Sequence, residues 1–252
     1  MIIPGLVSVT FRNLSPSDIV DLVARAGLKA IEWGGDVHVP HGDLAVAGKV
    51  RELTLQAGLA VAAYGSYFRA GEPDSPAFSD VLSSACELQA PVIRVWAGKK
   101  GSADCDEEYR QAVVYECRHA AQQAGEKGIK VACEYHGNTL TDTAGSARQL
   151  LEEVDHPNFL SYWQPAVGLS VDQRLESLDA VIDHLSNIHV FQWRHKDRLH
   201  LDEGSDEWAV YLNRIRKLSR DRYALLEFVQ NDNTESFLRD ARTLLSWVED
   251  DA

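Results

Sequence analysis

The sequence predicts an α/β protein, a single (β/α)8 TIM barrel, and two observations favour this class. Short apolar segments of strand length alternate with longer segments of helical period along the whole chain. The turns that lead into the predicted strands recur at steps of 29 to 38 residues, which is the length of one β/α unit. The 252 residues therefore accommodate eight such units, the size of a closed barrel, and we expect one domain over residues 1–252.

A recurring pattern marks the turn between each helix and the next strand. In ARAGLKAIEW, LQAGLAVAAY and GEKGIKVACEY, a glycine closes the helix and is followed by one aliphatic residue and a strand. Glycine suits this position because the residue that ends a helix commonly takes the left-handed conformation. With looser copies of the pattern included, the turns before the strands fall at Gly27, Gly58, Ala90, Gly128, Asn158, Asn187 and Asp221.

The strands and helices follow in order along the chain. The opening strand is predicted at Leu6–Phe11, and a helix then begins at the capping signal Ser15-Pro16. The helices at Glu107–Lys127 and Thr234–Asp250 each carry an apolar stripe at helical spacing. Later strands are predicted within Gln89–Trp96, His156–Trp163, Ser186–Trp193 and Asp221–Val229. An open doubly wound sheet is the alternative, although the chain has no GxGxxG or P-loop motif.

Charge and composition narrow the class of partner. The formal net charge of -13 argues against nucleic acid and anionic membranes, because both attract proteins with a positive field. The four cysteines lack CxxC spacing, which indicates reduced thiols rather than a zinc knuckle or a redox pair. No signal-peptide pattern and no long apolar run is found. We therefore expect a cytoplasmic protein with a small-molecule carbohydrate substrate, and a homodimer is left open.

The candidate site lies at the carboxyl ends of the strands, where TIM-barrel enzymes act. Its centre is the segment KVACEYHGNTLTDT, in which Ala132 and Glu134 share one strand face and Val131 and Cys133 share the other. Glu134 thus points where a small alanine points, into a crowded space in which a carboxylate needs an ion pair or a cation. A glutamate that simply reaches solvent at a strand end is the alternative.

Four strand-end residues could share one divalent cation. They come from the fifth to eighth strands and are Glu134, Gln164, His189 and Glu227. Carboxylate, amide and imidazole donors without a thiolate favour Mn²⁺ or Mg²⁺, with Co²⁺ or Zn²⁺ as alternatives. Such an ion could hold two neighbouring oxygens of a hydroxy-ketone and stabilise the enediolate that forms when a proton leaves carbon.

Aromatic and basic residues near the same strand ends are candidates for substrate binding. They are Trp33, Tyr64, Trp96, His136, Trp193 and Arg198. For each tryptophan the alternative is packing in the barrel wall, and for Arg198 it is a solvated basic loop. Glu32 is a further candidate acid, or else the partner of Arg94 or Arg12.

Essentially the whole chain resembles the xylose isomerase-like TIM barrels, a family of sugar (phosphate) isomerases and epimerases that also includes endonuclease IV relatives and dehydroshikimate dehydratases. The resemblance is carried by AIEWGGDVHVPHGD, VACEYHGNTLTDT, IHVFQWRHKD and YALLEFV. In ketose 3-epimerases of this family, Glu, Asp, His and Glu hold the metal, and the matching residues here are Glu134, Gln164, His189 and Glu227. Gln164 departs from the pattern, so the ligand set holds two negative charges instead of three.

The resemblance implies a metal-dependent sugar isomerase or epimerase of carbohydrate metabolism. In that interpretation Glu134 and Glu227 stand on opposite faces of the substrate, where one removes a proton and the other returns it. A lyase or hydrolase on the same barrel, such as a dehydratase or a deglycosidase, is the alternative, and the changed ligand Gln164 favours such a divergence. A barrel that binds metal or sugar without catalysis is a third hypothesis.

Overall fold

A computed structural model describes residues 1–249, and eight parallel strands in this part of the chain close into a barrel. Ten strands are numbered in chain order, and two of them, β8 (Trp193–Arg194) and β9 (Asp197–Arg198), form a separate antiparallel hairpin. The eight barrel strands are β1 (Ile2–Val7), β2 (Ala30–Gly34), β3 (Ala60–Arg69), β4 (Val92–Trp96), β5 (Lys130–Glu134), β6 (Phe159–Trp163), β7 (Leu185–Val190) and β10 (Arg222–Leu226). The barrel closes where β1 pairs with both β2 and β10. The predicted (β/α)8 fold is confirmed.

Eight α-helices lie between and after the barrel strands of the described residues. They are α1 (Pro16–Arg25), α2 (Leu44–Gln56), α3 (Phe78–Leu88), α4 (Glu107–Gly125), α5 (Ala144–Val154), α6 (Val171–Val181), α7 (Ser205–Ile215) and α8 (Thr234–Glu249). The predicted start of α1 is confirmed, since the Ser15 side chain accepts from the Asp18 backbone N–H. Asp250, the predicted end of the last helix, lies outside the described residues. None of the helices within residues 1–249 has the length and apolar character needed to cross a membrane.

The opening strand begins and ends earlier than predicted. The strand is Ile2–Val7, and Ser8–Phe11 form a 3-10 turn instead of continuing it. The apolar alternation of VSVTF continues through this turn, and for that reason the sequence pattern placed the strand too late. The turn is fixed by a contact that the pattern does not show, because the Gly34 backbone N–H donates to the Ser8 hydroxyl at 2.9 Å.

The core has two layers that follow the alternation of side chains along the strands. The larger layer lies between strands and helices and includes Val131 and Cys133, whereas Ala132 belongs to a small cluster that fills the barrel interior. The predicted division of the two faces of β5 is therefore confirmed. The interior cluster is made mainly of small and medium residues, namely Val7, Val9, Ala30, Ala62, Ala63, Val92, Ala132, Tyr162 and Leu225.

Candidate active site

Inward-facing polar side chains meet at the carboxyl ends of the barrel strands. They are Glu32, Arg94, Glu134, Tyr162, His189 and Glu227, and we call them the polar layer. None of the six is more than 8% exposed. Five come from five different strands and the sixth follows β10 directly, so closure of the barrel brings them together.

Three members of the polar layer converge like the ligands of a metal ion. Glu134, His189 and Glu227 each offer one donor atom, and these atoms all lie within 4.8 Å of one another. His189 Nδ1 lies 3.5 Å from Glu134 Oε1 and 3.4 Å from Glu227 Oε2. Gln164 brings an amide oxygen to 3.2 Å from the same nitrogen. The structure thus assembles the four predicted residues, and their oxygen and nitrogen donors suit a divalent cation.

Arg94 joins two of the buried carboxylates. Its Nε donates to Glu32 Oε1 at 2.7 Å and its Nη1 donates to Glu134 Oε2, so of the alternatives left open for Glu32 the structure shows the pairing with Arg94. Trp96 Nε1 also donates to Glu134 Oε2, at 2.5 Å, while Glu134 Oε1 faces His189. Arg94 was not predicted as a site residue, although an arginine inside the apolar run VIRVW indicates a buried charge.

The formal charge of the polar layer matches a divalent cation. The carboxylates of Glu32, Glu134 and Glu227 stand against the single guanidinium of Arg94, which leaves two negative charges when His189 is neutral. Gln164 removes one negative charge from the proposed ligand set, but Glu32 adds a carboxylate behind the ligands, so the net charge around the site stays negative.

The buried charges shift one another's pKa values. Burial alone would raise the pKa of Glu32, but the charges of Arg94 and His189 outweigh it and lower this pKa to about 2. Burial is likewise outweighed at Glu134, where Arg94 and His189 hold the pKa well below its usual range. Burial would lower the pKa of His189, yet the carboxylates of Glu227 and Glu32 raise it to about 10. The pKa of Glu227 is raised by burial and by the charge of Glu134, against the opposing charge of His189.

A pocket of about 270 Å³ opens onto these residues. Its lining combines Arg94, Glu134, Gln164 and Glu227 with a wall of aromatic side chains, Tyr67, Trp96, Phe191, Trp193 and Phe228, and with His136 and Val167. Flat apolar walls around a few convergent polar groups are typical of a small-molecule site. Tyr67, Phe191 and Phe228 were missed from the sequence, and the positive φ of Tyr67 (55°) and Phe228 (53°) shows that irregular backbone, not strand period, places two of them.

The residues predicted to bind substrate divide into two groups. Trp96, His136 and Trp193 line the pocket, and Arg198 stacks on the Trp193 ring with its guanidinium carbon 5.2 Å from the ring centroid. Arg198 also contacts the Phe228 ring at 4.9 Å and pairs with Asp232.

Trp33 and Tyr64 lie outside the pocket and are completely buried. Trp33 Nε1 donates to Thr54 Oγ1 at 3.2 Å, and the Tyr64 hydroxyl donates to the Val39 carbonyl at 2.8 Å. Because Glu32 points into the barrel, its neighbour Trp33 must point out toward the helices. The structure therefore places both as packing residues of the outer layer.

Within residues 1–249, a hydrogen-bond partner is found for only one of the two ring nitrogens of His136. Its Nδ1 lies 2.7 Å from the Gly137 carbonyl oxygen, which can only accept, so Nδ1 carries the proton and Nε2 carries the lone pair in the neutral ring. Thr139 Oγ1 donates to the His136 carbonyl at 2.7 Å, and this bond anchors the turn after β5. The ring tilts against Trp96 with 5.7 Å between centroids.

The Gln164→Asp variant is expected to bind Mn²⁺ about tenfold more tightly, because ligand charge is a main determinant of cation affinity. Gln164→Asn is the matched control, since it shortens the side chain equally and keeps it neutral. Calorimetry on metal-stripped protein measures both affinities. Equal affinities for the Asp and Asn variants would show that position 164 does not contact the ion.

The comparisons with known proteins agree with the barrel fold. The family model described as xylose isomerase-like TIM barrel matches residues 20–247. The chain belongs to this family. A curated relative, the 3-dehydroshikimate dehydratase of Bacillus anthracis, is 34% identical over 128 residues, which cover 48% of this chain and 44% of the relative. The match therefore spans less than half the length of that relative.

Two solved structures share the fold along nearly the whole chain. The probable 3-DHS dehydratase of Bacillus anthracis superposes with a TM-score of 0.79 at 20% identity and covers 97% of this chain and 98% of its own. D-psicose 3-epimerase of Clostridium cellulolyticum superposes with a TM-score of 0.73 at 14% identity and covers 98% of each chain. Identities this low show the common fold and nothing finer.

The prediction of an isomerase or epimerase is wrong. The curated relative at 34% identity is a dehydratase. This match favours the lyase alternative that was named from the sequence. The site geometry is compatible with this change, because a cation held by this donor set would stabilise negative charge on a carbonyl oxygen in either reaction.

Proposed function

We propose that this protein is a divalent-metal-dependent dehydratase that removes water from a ring ketone of the 3-dehydroshikimate type. The observation that carries the proposal is the convergence of Glu134, His189 and Glu227, of which Glu134 and Glu227 line the same pocket as His136. The dehydratase relative supports the choice of substrate class. 3-Dehydroshikimate has a ketone, a C–H bond on the adjacent carbon and a hydroxyl one carbon further, so loss of water leads to an aromatic dihydroxybenzoate.

Glu134, His189 and Glu227 would hold the ion, with Gln164 as a fourth donor. When bound, Mn²⁺ or Mg²⁺ supplies a Lewis acid that stabilises negative charge on the carbonyl oxygen, and Co²⁺ or Zn²⁺ is compatible with the same donors. In this proposal Glu134 is a metal ligand and not the base, because Arg94 and Trp96 already donate hydrogen bonds to its Oε2.

His136 is the proton acceptor in this proposal. Its free Nε2 takes the proton from the carbon next to the ketone, and the electrons of that C–H bond move toward the carbonyl oxygen. When these electrons return from the carbonyl oxygen, a carbon–carbon double bond forms and the hydroxyl leaves from the next carbon. The imidazolium of His136 gives its proton to this hydroxyl, so water departs and the ring dienone tautomerises to the aromatic product.

The aromatic side chains and Arg198 complete the proposed substrate site. Trp96, Trp193 and Phe228 present flat surfaces that suit a six-membered ring on its way to aromaticity. Arg198 stacks on Trp193 and Phe228 and is our candidate to pair with the substrate carboxylate.

The test is incubation of metal-stripped protein with 3-dehydroshikimate, with and without Mn²⁺, while ultraviolet absorbance and proton NMR follow the product. We expect an aromatic dihydroxybenzoate that forms only when the metal is added and stops forming when a chelator is present. Shikimate is the control substrate, since it has a hydroxyl in place of the ketone and no acidified C–H bond. Absence of the aromatic product with Mn²⁺, Mg²⁺, Co²⁺ and Zn²⁺ would refute the proposal.

A further inference from the structure

The two ring nitrogens of His189 face different partners. Nδ1 faces the oxygens of Glu134, Glu227 and Gln164, at 3.5, 3.4 and 3.2 Å. Nε2 faces Glu32, whose Oε2 lies 3.4 Å away. A ring nitrogen that binds a metal must be unprotonated, so in a neutral metal-bound ring the other nitrogen carries the proton. The Nδ1 atom of His189 therefore faces the other proposed metal ligands, and its Nε2 atom faces the carboxylate of Glu32.

Glu32 is itself held by donors on both carboxylate oxygens. Arg94 Nε donates to Oε1 at 2.7 Å, and the Tyr162 hydroxyl donates to Oε2. The Tyr162 ring also packs against the His189 ring, with centroids 4.7 Å apart. Glu32, Tyr162 and His189 are all 0% exposed. Bulk solvent therefore cannot replace the Glu32 carboxylate as the partner of His189 Nε2.

We propose that Glu32 is a positioning residue, whose carboxylate accepts a hydrogen bond from the Nε2–H group of His189 and so leaves the lone pair on Nδ1, the nitrogen that would bind the metal. Outer carboxylates that orient metal-bound histidines in this way are usually worth roughly 10- to 100-fold in affinity. Through Arg94 the same carboxylate is also linked to Glu134, so Glu32 orients two of the three ligands. This role rests on the metal site proposed above, and Glu32 acts through His189 without touching the substrate.

Mn²⁺ calorimetry on the metal-stripped full chain compares the wild type with three variants. Glu32→Gln removes the charge, and Glu32→Asp keeps the charge but shortens the reach toward Nε2. Both are expected to weaken Mn²⁺ binding, by roughly 10- to 100-fold for Glu32→Gln. Tyr162→Phe removes one donor and leaves the carboxylate in place, so we expect at most about a fivefold loss. Thermal unfolding of the metal-free proteins reports whether each variant folds, and Glu32→Asp decides the test if Glu32→Gln does not fold.

Nitrogen NMR of the histidine rings separates positioning from a general structural effect. In the Mg²⁺-loaded wild type, we expect the His189 signal to show a proton on Nε2, and His189→Gln identifies that signal by its loss. In Glu32→Gln the Nε2-protonated signal is expected to broaden or lose intensity.

Three outcomes would overturn the positioning role. Wild-type affinity in both Glu32 variants would contradict it directly, and weaker affinity with an unchanged His189 signal would leave Glu32 a merely structural residue. No Mn²⁺ binding by the wild-type chain would overturn the proposed metal site itself, which is a distinguishable result.

Discussion

The Glu134→Gln variant is expected to lose Mn²⁺ binding, by more than about a hundredfold, and to lose turnover of 3-dehydroshikimate with it. The amide has one accepting oxygen where the carboxylate has two. Arg94 Nη1 and Trp96 Nε1 both donate to the same oxygen of Glu134, so they would hold the single amide oxygen and turn the NH2 group toward His189. A donor group in that place opposes a cation, and the ligand charge is lost as well.

Calorimetry of Mn²⁺ binding and the aromatic-product assay measure both losses. Glu126→Gln is the matched control, because it removes the same charge from an exposed residue that follows α4. Retention of wild-type Mn²⁺ affinity in Glu134→Gln would show that the ion, if bound, does not use this carboxylate. The melting temperature of the metal-free variant tests whether the fold survives, since breaking a buried ion pair commonly costs about 3–5 kcal/mol.

The His136→Gln variant is expected to lower kcat by about 10²- to 10⁴-fold, which is the usual contribution of a positioned acid or base. Its Mn²⁺ affinity should stay at the wild-type value, because His136 is not among the residues that converge on the metal site. The two readouts together separate proton transfer from metal binding, whereas Glu134→Gln changes both.

The measurement is steady-state turnover at saturating Mn²⁺, with calorimetry beside it. The control is His184→Gln, which changes an exposed histidine before β7. His136→Ala with added imidazole provides a second test, since a small base in the vacated space should restore part of the rate. If kcat of His136→Gln lies within about tenfold of the wild type, His136 is not the proton acceptor and another group of the pocket has that role.

The reaction class was wrongly predicted for a chemical reason. A ketose epimerase and a dehydratase both begin by removing a proton next to a carbonyl group, and both need a cation near the developing charge. The residues that predict the metal, Glu134, His189 and Glu227, therefore do not distinguish the later steps of the two reactions. Whether the proton returns or a hydroxyl leaves depends on the substrate and on groups such as His136, which the sequence marked only as a substrate-binding residue.

The sequence by itself determined the barrel and the direction of the side chains along β5. The glycines at 27, 58 and 128 have the left-handed backbone that their position after a helix predicts, with φ of +78°, +73° and +73°. The period of two along β5 placed Ala132 in the interior cluster and predicted that Glu134 would point the same way. Both features are local, since they depend on a few neighbouring residues and the backbone conformation these prefer.

Only the tertiary structure decided which strand-end residues meet. Glu32 and Arg94 are 62 positions apart and Glu32 and His189 are 157 apart, so their contacts depend on how the strands are registered when the barrel closes. The alternation rule could not choose between Glu32 and Trp33 for the inner face, because a one-residue slip exchanges the two. Closure also set the buried balance of three carboxylates against one guanidinium, since a charge can be buried only where partners from distant strands surround it.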